Sequence, residues 1–234
     1  MQSDACVHTD LKKRQFLQSV LAGAVVGIAV QAGIELASPS ALHAQTKLSP
    51  AEAFDQLREG NQRFAANQLT SINHDLDVLK AHTADKQEPF AAVLACSDSR
   101  VPVELIFDQT IGQIFVARVA GNMVTPEIIA SLEYGVAVLG VKAVLVLGHT
   151  NCGALKAAMK AESVPGQISV LYKHLQPAVQ QSGGDVGKAI EINAKYQAEL
   201  LRTSSTVIRQ ALKAGNLKVE AGVYDLATGK VNVS

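Results

Sequence analysis

Phe90-Ala-Ala-Val-Leu-Ala-Cys-Ser-Asp-Ser-Arg100 is the stretch on which the reading of the fold turns. Phe90 to Ala95 is apolar without alternation, as a strand buried on both faces would be. Cys96 to Arg100 is then the loop that leaves its carboxyl end. Ile111 to Val119 (IGQIFVARV) and Lys142 to Gly148 (KAVLVLG) have the same character. Between them Pro126 to Leu139 has helical spacing, with Ile129, Leu132, Val136 and Leu139 on one face. Strand, crossover helix and strand repeat, which predicts an α/β fold with a central, mostly parallel sheet flanked by helices. The tail Leu217 to Val233 is expected to form a hairpin, turning at Thr228-Gly229.

Working outward, Ser49-Pro50-Ala51-Glu52 reads as a helix start, with Ser at the cap, Pro at the first helical position and Glu three after the cap. Phe54, Leu57, Phe64, Leu76 and Leu79 predict an N-terminal arm of two amphipathic helices, broken around Thr70 to Asn73. Beyond the third strand, helices are expected over Cys152 to Ala161 and Gln167 to Gln181. A long one is expected from about Asp185 to Ala214, stopped by Gly215-Asn216.

Composition excludes several classes. The 234 residues are 48% apolar and 18% charged, enough for a sizeable core and too apolar for a disordered chain. Twenty-one basic residues balance 21 acidic ones, so nucleic acid and anionic membrane are not expected partners. Three cysteines cannot staple a disulfide mini-domain. Lys12-Lys13-Arg14 precedes an 11-residue apolar run, Val20 to Val30, and a small-residue exit at Ala41-Leu-His-Ala44. That order predicts a twin-arginine-like export signal over 1–44, with Lys where the first Arg would stand, and a mature domain over 45–234. The expected location is the periplasm or an equivalent extracytoplasmic space, with no stable membrane span once the signal is removed. Signal removal also takes Cys6, leaving Cys96 and Cys152 as the thiols of the mature chain.

Those two thiols sit where strand ends should converge. Cys96 follows the first strand, and His149-Thr150-Asn151-Cys152 follows the third. In an open parallel sheet, loops at the carboxyl ends of neighbouring strands share one crevice. Two thiolates and an imidazole suit Zn²⁺, and three protein ligands leave a fourth position open, as catalytic sites do. Asp98 can take that position, as fourth ligand in a closed state, or hydrogen-bond whatever sits there. Arg100 can hold the carboxylate off the metal through a bidentate pair.

At these residues the chain resembles the β-class carbonic anhydrases, through Cys96-Ser-Asp98-Ser-Arg100, His149-Thr-Asn-Cys152, and the flanks Ser131-Leu-Glu-Tyr-Gly-Val136 and Tyr224-Asp-Leu-Ala-Thr-Gly-Lys230. The resemblance implies one zinc per chain, held by Cys96, His149 and Cys152, and a catalytic dyad of Asp98 and Arg100. It implies reversible hydration of carbon dioxide to bicarbonate and a proton. It places Gln87 as the substrate-orienting amide and Phe115 and Tyr134 at the wall of an apolar substrate pocket. It also implies an α/β fold with about four parallel strands plus a C-terminal edge strand or hairpin, and a homodimer or higher homo-oligomer in which the N-terminal helices embrace the partner. Two alternatives stay open on the sequence: a hydrolase of COS or CS₂ on the same scaffold, and a non-catalytic zinc or thiol protein. His74, His82 and His174 are candidate proton carriers by residue type alone.

Overall fold

Strand β1 (Ala91–Ala95) is buried along its whole length, and its alternate residues feed two separate cores. The computed structural model describes residues 46–234 except Glu162; the expected export segment lies outside the described residues. Beside β1 run β2 (Ile114–Arg118) and β3 (Ala143–His149), both parallel to it. Strand β4 (Lys218–Tyr224) is parallel to β3, and β5 (Val231–Val233) closes the edge antiparallel to β4, giving the order β2-β1-β3-β4-β5. Ala91, Val93 and Ala95 pack on one face with Phe54, Leu57, Ile106, Phe107, Leu145 and Leu147. Ala92 and Leu94 pack on the other with Leu132, Val144, Val146, Leu201 and Ile208. This period of two, apolar on both sides, is why the strand reads as an uninterrupted hydrophobic run.

The helices fall on the two faces accordingly. Helix α1 (Pro50–Ala65) starts at the expected capping box, with Ser49 and Glu52 each bonding the other's backbone, and packs by α3 (Val103–Ile106). Helix α2 (Leu76–Thr83) follows a 3-10 turn at Ser71–Asn73. Neither α2 nor the turn buries a single residue; Ile72 is 68% exposed and Leu76 52%. The opposite face carries α4 (Pro126–Ala137), then α5 (Gly153–Lys160), α6 (Tyr172–Gln181), α7 (Val186–Ser204) and α8 (Thr206–Lys213) follow β3. Among the described residues, no helix is long and apolar enough to cross a membrane.

Three elements differ from expectation. The second strand begins at Ile114 rather than Ile111, which is 49% exposed on a turn shaped by Gly112 at φ +87°. The first turn of the helix expected from Gln167 is 3-10, Ile168–Leu171. The long C-terminal helix breaks at Ser205, whose backbone is extended (φ −95°, ψ 124°). The Ser205 hydroxyl accepts from the Ile208 amide and donates to Glu133 on α4 at 2.6 Å, so capping α8 outcompetes continuing α7.

Asp108 ties the N-terminal helix to the sheet domain. Its side chain is fully buried and accepts from Arg63 Nε at 2.5 Å, from the amides of Thr70 and Ser71, and from the Thr70 hydroxyl. Burial alone would raise its pKa; those four donors outweigh burial and hold the carboxyl well below the ordinary carboxylate range. The stabilisation is therefore present above the unfolded carboxyl pKa, about 3.9, and is lost as pH falls below it. Asp108→Ala is expected to lose about 3 kcal/mol at pH 7, with a smaller gap to wild type at pH 3. Urea unfolding at the two pH values checks this, and an equal gap at both would contradict it.

Candidate metal centre

The register sets the site. Ala95 is level with Leu147, so Cys96 leaves β1 beside the point where β3 ends in His149. Cys152 is the N-cap of α5, three residues further on. The three ligand atoms, two sulfurs and one ring nitrogen, all lie within 4.8 Å of one another, and all three residues are buried. Met123, Leu155, Ala158, Leu175 and Ile190 form the apolar shell around the two cysteines.

His149 is oriented by its own turn. Its Nδ1 lies 2.9 Å from the carbonyl of Thr150, so Nδ1 carries the hydrogen and Nε2 carries the lone pair. Thr150 is held in turn, its amide donating to the Tyr224 carbonyl and its hydroxyl accepting from the Leu226 amide. Nε2 of His149 is buried and has no hydrogen-bond partner among the described residues. A buried nitrogen lone pair facing two thiols is unsatisfied as it stands, and a cation that prefers nitrogen and sulfur completes it. The donor set therefore fits zinc.

Charge around the sulfurs agrees. Cys152 hydrogen-bonding to Cys96 lowers the Cys96 thiol against the opposing effect of burial, with help from the Gly121 and Asp98 amides. Cys152 is pushed up by Cys96 and by burial, although the amides of Leu155 and Ala154 at the start of α5 favour its thiolate. The pair thus gives up a first proton readily and a second reluctantly, until a cation offsets the repulsion.

Asp98 and Arg100 stand between the three donors and solvent, their side chains 17% and 49% exposed. Arg100 Nε donates to Asp98 Oδ1 at 2.9 Å and Nη2 to Oδ2 at 2.7 Å, the bidentate fork expected from the sequence; the Arg100 amide adds a third bond at 3.0 Å. The other side of the same carboxylate points inward, Oδ2 lying 3.8 Å from His149 Nε2. Arg100 holds the Asp98 carboxyl well below the usual range, so it stays ionised throughout the neutral region. Arg118 at the end of β2 braces this loop, donating to the carbonyls of Cys96 and Asp98 at 2.9 and 2.6 Å. The Gly121 amide donates to Cys96 Sγ at 3.3 Å. None of these three bonds had a sequence signature, because each joins a side chain to a backbone group twenty or more residues away.

The remaining predicted site residues lie elsewhere in the chain. Gln87 is exposed before the amino end of β1, with the whole strand between it and Cys96, about 17 Å at 3.3 Å per residue. Phe115 is level with Ala92, and its ring packs 6.3 Å from that of Tyr134, which is 46% exposed. Within one chain Phe115 and Tyr134 pair with each other near the amino ends of the strands, and Gln87 precedes β1 at that same end. His74 and His82 lie on the exposed arm, and His174 is on α6.

Comparison with known proteins agrees with this geometry. The family profile described as Carbonic anhydrase matches residues 91–231. A carbonic anhydrase of Mycolicibacterium smegmatis is 34% identical over 195 residues, spanning 79% of this chain and 93% of that protein. Carbonic anhydrase 2 of Mycobacterium tuberculosis is 33% identical over 190 residues, 78% and 91% of the two chains. Among solved structures, a β-carbonic anhydrase of Aspergillus fumigatus superposes with TM-score 0.64 at 27% identity, covering 77% of this chain and 90% of that one. A chain from two tetrameric β-carbonic anhydrases of Sordaria macrospora superposes with TM-score 0.62 at 25% identity, covering 78% and 96%. A buried Cys-His-Cys donor set at two parallel strand ends, a carboxylate forked to arginine beside it, and relatives matched over nearly their whole length lead to one assignment: the chain belongs to the β-class carbonic anhydrases, a family of enzymes.

Proposed function

We propose that this protein hydrates carbon dioxide reversibly to bicarbonate and a proton, with one zinc ion held by Cys96, His149 and Cys152. The observation that carries the proposal is the position of Asp98, restrained by Arg100 on one side and facing His149 Nε2 on the other. A site that only stored metal would have no use for a carboxylate held beside it. Zinc in such a site supplies a Lewis acid that brings the pKa of water near neutrality. The chain does the rest. Asp98, ionised at neutral pH, accepts a hydrogen bond beside the three donors and so orients the attacking oxygen; Arg100 keeps that carboxylate from swinging inward. His149, locked through Nδ1, keeps Nε2 aimed at the two sulfurs, and the apolar shell excludes competing water.

Gln87, Phe115 and Tyr134 serve the substrate side in this reading, supplied to each pocket by a second copy of the chain. Three features support that arrangement: their placement away from Cys96, the half-exposed Tyr134 ring, and a helical arm at 71–83 that buries nothing of its own. Sedimentation equilibrium is expected to show a dimer or larger, and a monomer with full turnover would contradict it. Export to the periplasm or an equivalent space belongs to the same proposal, supported by the basic, apolar and small-residue order of 12–44. Stopped-flow hydration of carbon dioxide by the purified protein tests the function itself. Turnover far above the uncatalysed rate is expected; a rate equal to buffer would overturn the proposal.

A further inference from the structure

Behind Cys96, two amides occupy a helix face that is otherwise apolar. Asn193 and Gln197 are one turn apart on α7 and fully buried, among Ala189, Ile190, Ala194, Ala198 and Leu201. Packing alone would be served there by leucine or methionine, since a buried amide is unfavourable unless its bonds are made. Here they are made, and they converge on one segment. Asn193 Nδ2 donates to the Gly121 carbonyl at 3.0 Å, and Gln197 Oε1 accepts from the Val124 amide at 2.8 Å. Gln197 Nε2 joins the pair by donating to Asn193 Oδ1 at 3.1 Å, and it anchors to α6 through the His174 carbonyl at 3.1 Å.

The clamped segment is the one that reaches the metal pocket, because the Gly121 amide donates to Cys96 Sγ. It needs holding. Gly121 and Asn122 both have positive φ, +79° and +42°, and the second of these is strained for a residue with a side chain. Asn122 does little to hold itself, since its buried Nδ2 has no hydrogen-bond partner among the described residues. There is no slack on the other side either: a Cβ on Gly121 would meet Leu175 Cδ2 at 3.0 Å.

We infer that Asn193 and Gln197 are positioning residues for the metal centre, holding the Gly121 N–H on the Cys96 sulfur through the Gly121–Val124 segment. The inference rests on the zinc reading above. The test uses Asn193→Leu and Gln197→Met, which keep volume and remove the bonds; if one fails to fold, the other carries the same expectation. Both are loaded with cobalt to read the thiolate-to-cobalt charge-transfer band, and with zinc to read its transfer to a chelator. Loss of the N–H donor raises the sulfur lone pair, so the band is expected to move to longer wavelength. Zinc is expected to leave about 10 to 100 times faster. Asp108→Ala, destabilised on the opposite face of the sheet, is expected to move neither. An unmoved band with wild-type zinc release in the folded variant would overturn the inference, as would equal changes in Asp108→Ala. Absence of the band in wild-type protein would overturn the zinc reading, and this inference with it.

Discussion

Cys96→Ser and Cys152→Ser are each expected to lower bound zinc from about one per chain to below roughly one tenth, and turnover with it. Each substitution removes a thiolate from a buried set of three, and a serine hydroxyl does not ionise near neutrality to replace it. The pocket offers no substitute among the described residues: Asp98 is the nearest carboxylate, and Arg100 occupies both of its oxygens. His149→Ala should behave the same way, since it deletes the single nitrogen donor. Metal analysis of dialysed protein checks all three variants. Full occupancy in either serine variant would remove that cysteine from the ligand set.

Arg100→Ala is expected to separate binding from chemistry. The three ligands are untouched, so zinc stays. The carboxylate of Asp98 loses its fork and is left 3.8 Å from His149 Nε2 with no counter-ion on its outer side. It is then free to turn inward and take the open position, and turnover should fall roughly 100-fold or more. Asp98→Ala cannot close the site that way. It should also keep zinc but be slow at every pH, having lost the group that orients the attacking oxygen. In wild type the Asp98 carboxyl titrates far below neutrality, so a rise of activity with pH near 7 reports another group. If the pair merely braced the loop, Arg100→Ala would lower stability and leave turnover per zinc close to wild type. Zinc content, turnover and urea unfolding measured on the same preparations distinguish the two.

The grouping of Cys96, His149 and Cys152 was legible because each part carried a local signal. Unbroken apolar runs gave β1 and β3, and a parallel sheet obliges the loops at their carboxyl ends to meet, which joined Cys96 to residues more than fifty positions away. His149 and Cys152 were a donor pair visible within four residues. The Asp98–Arg100 fork was legible for the same reason. What escaped had no local signature. Apolar spacing runs through Ser205, and the break there depends on Glu133 from a different helix. Ile111 looks like strand by composition but lies exposed on a turn. Asn193 and Gln197 carry no local signal; their partners are backbone atoms at Gly121 and Val124, and no residue type announces a backbone contact 72 or 73 positions away. Gln87, Phe115 and Tyr134 were named through resemblance, and one chain alone leaves them at the far end of the sheet from Cys96.

Zinc titrated back into metal-stripped protein, with carbon dioxide hydration followed at each addition, tests the central claim most directly. Turnover should be absent at the start, rise linearly with zinc, and level off at one ion per chain. Turnover that is already present in the stripped protein would contradict the account, as would one full equivalent of bound zinc without turnover.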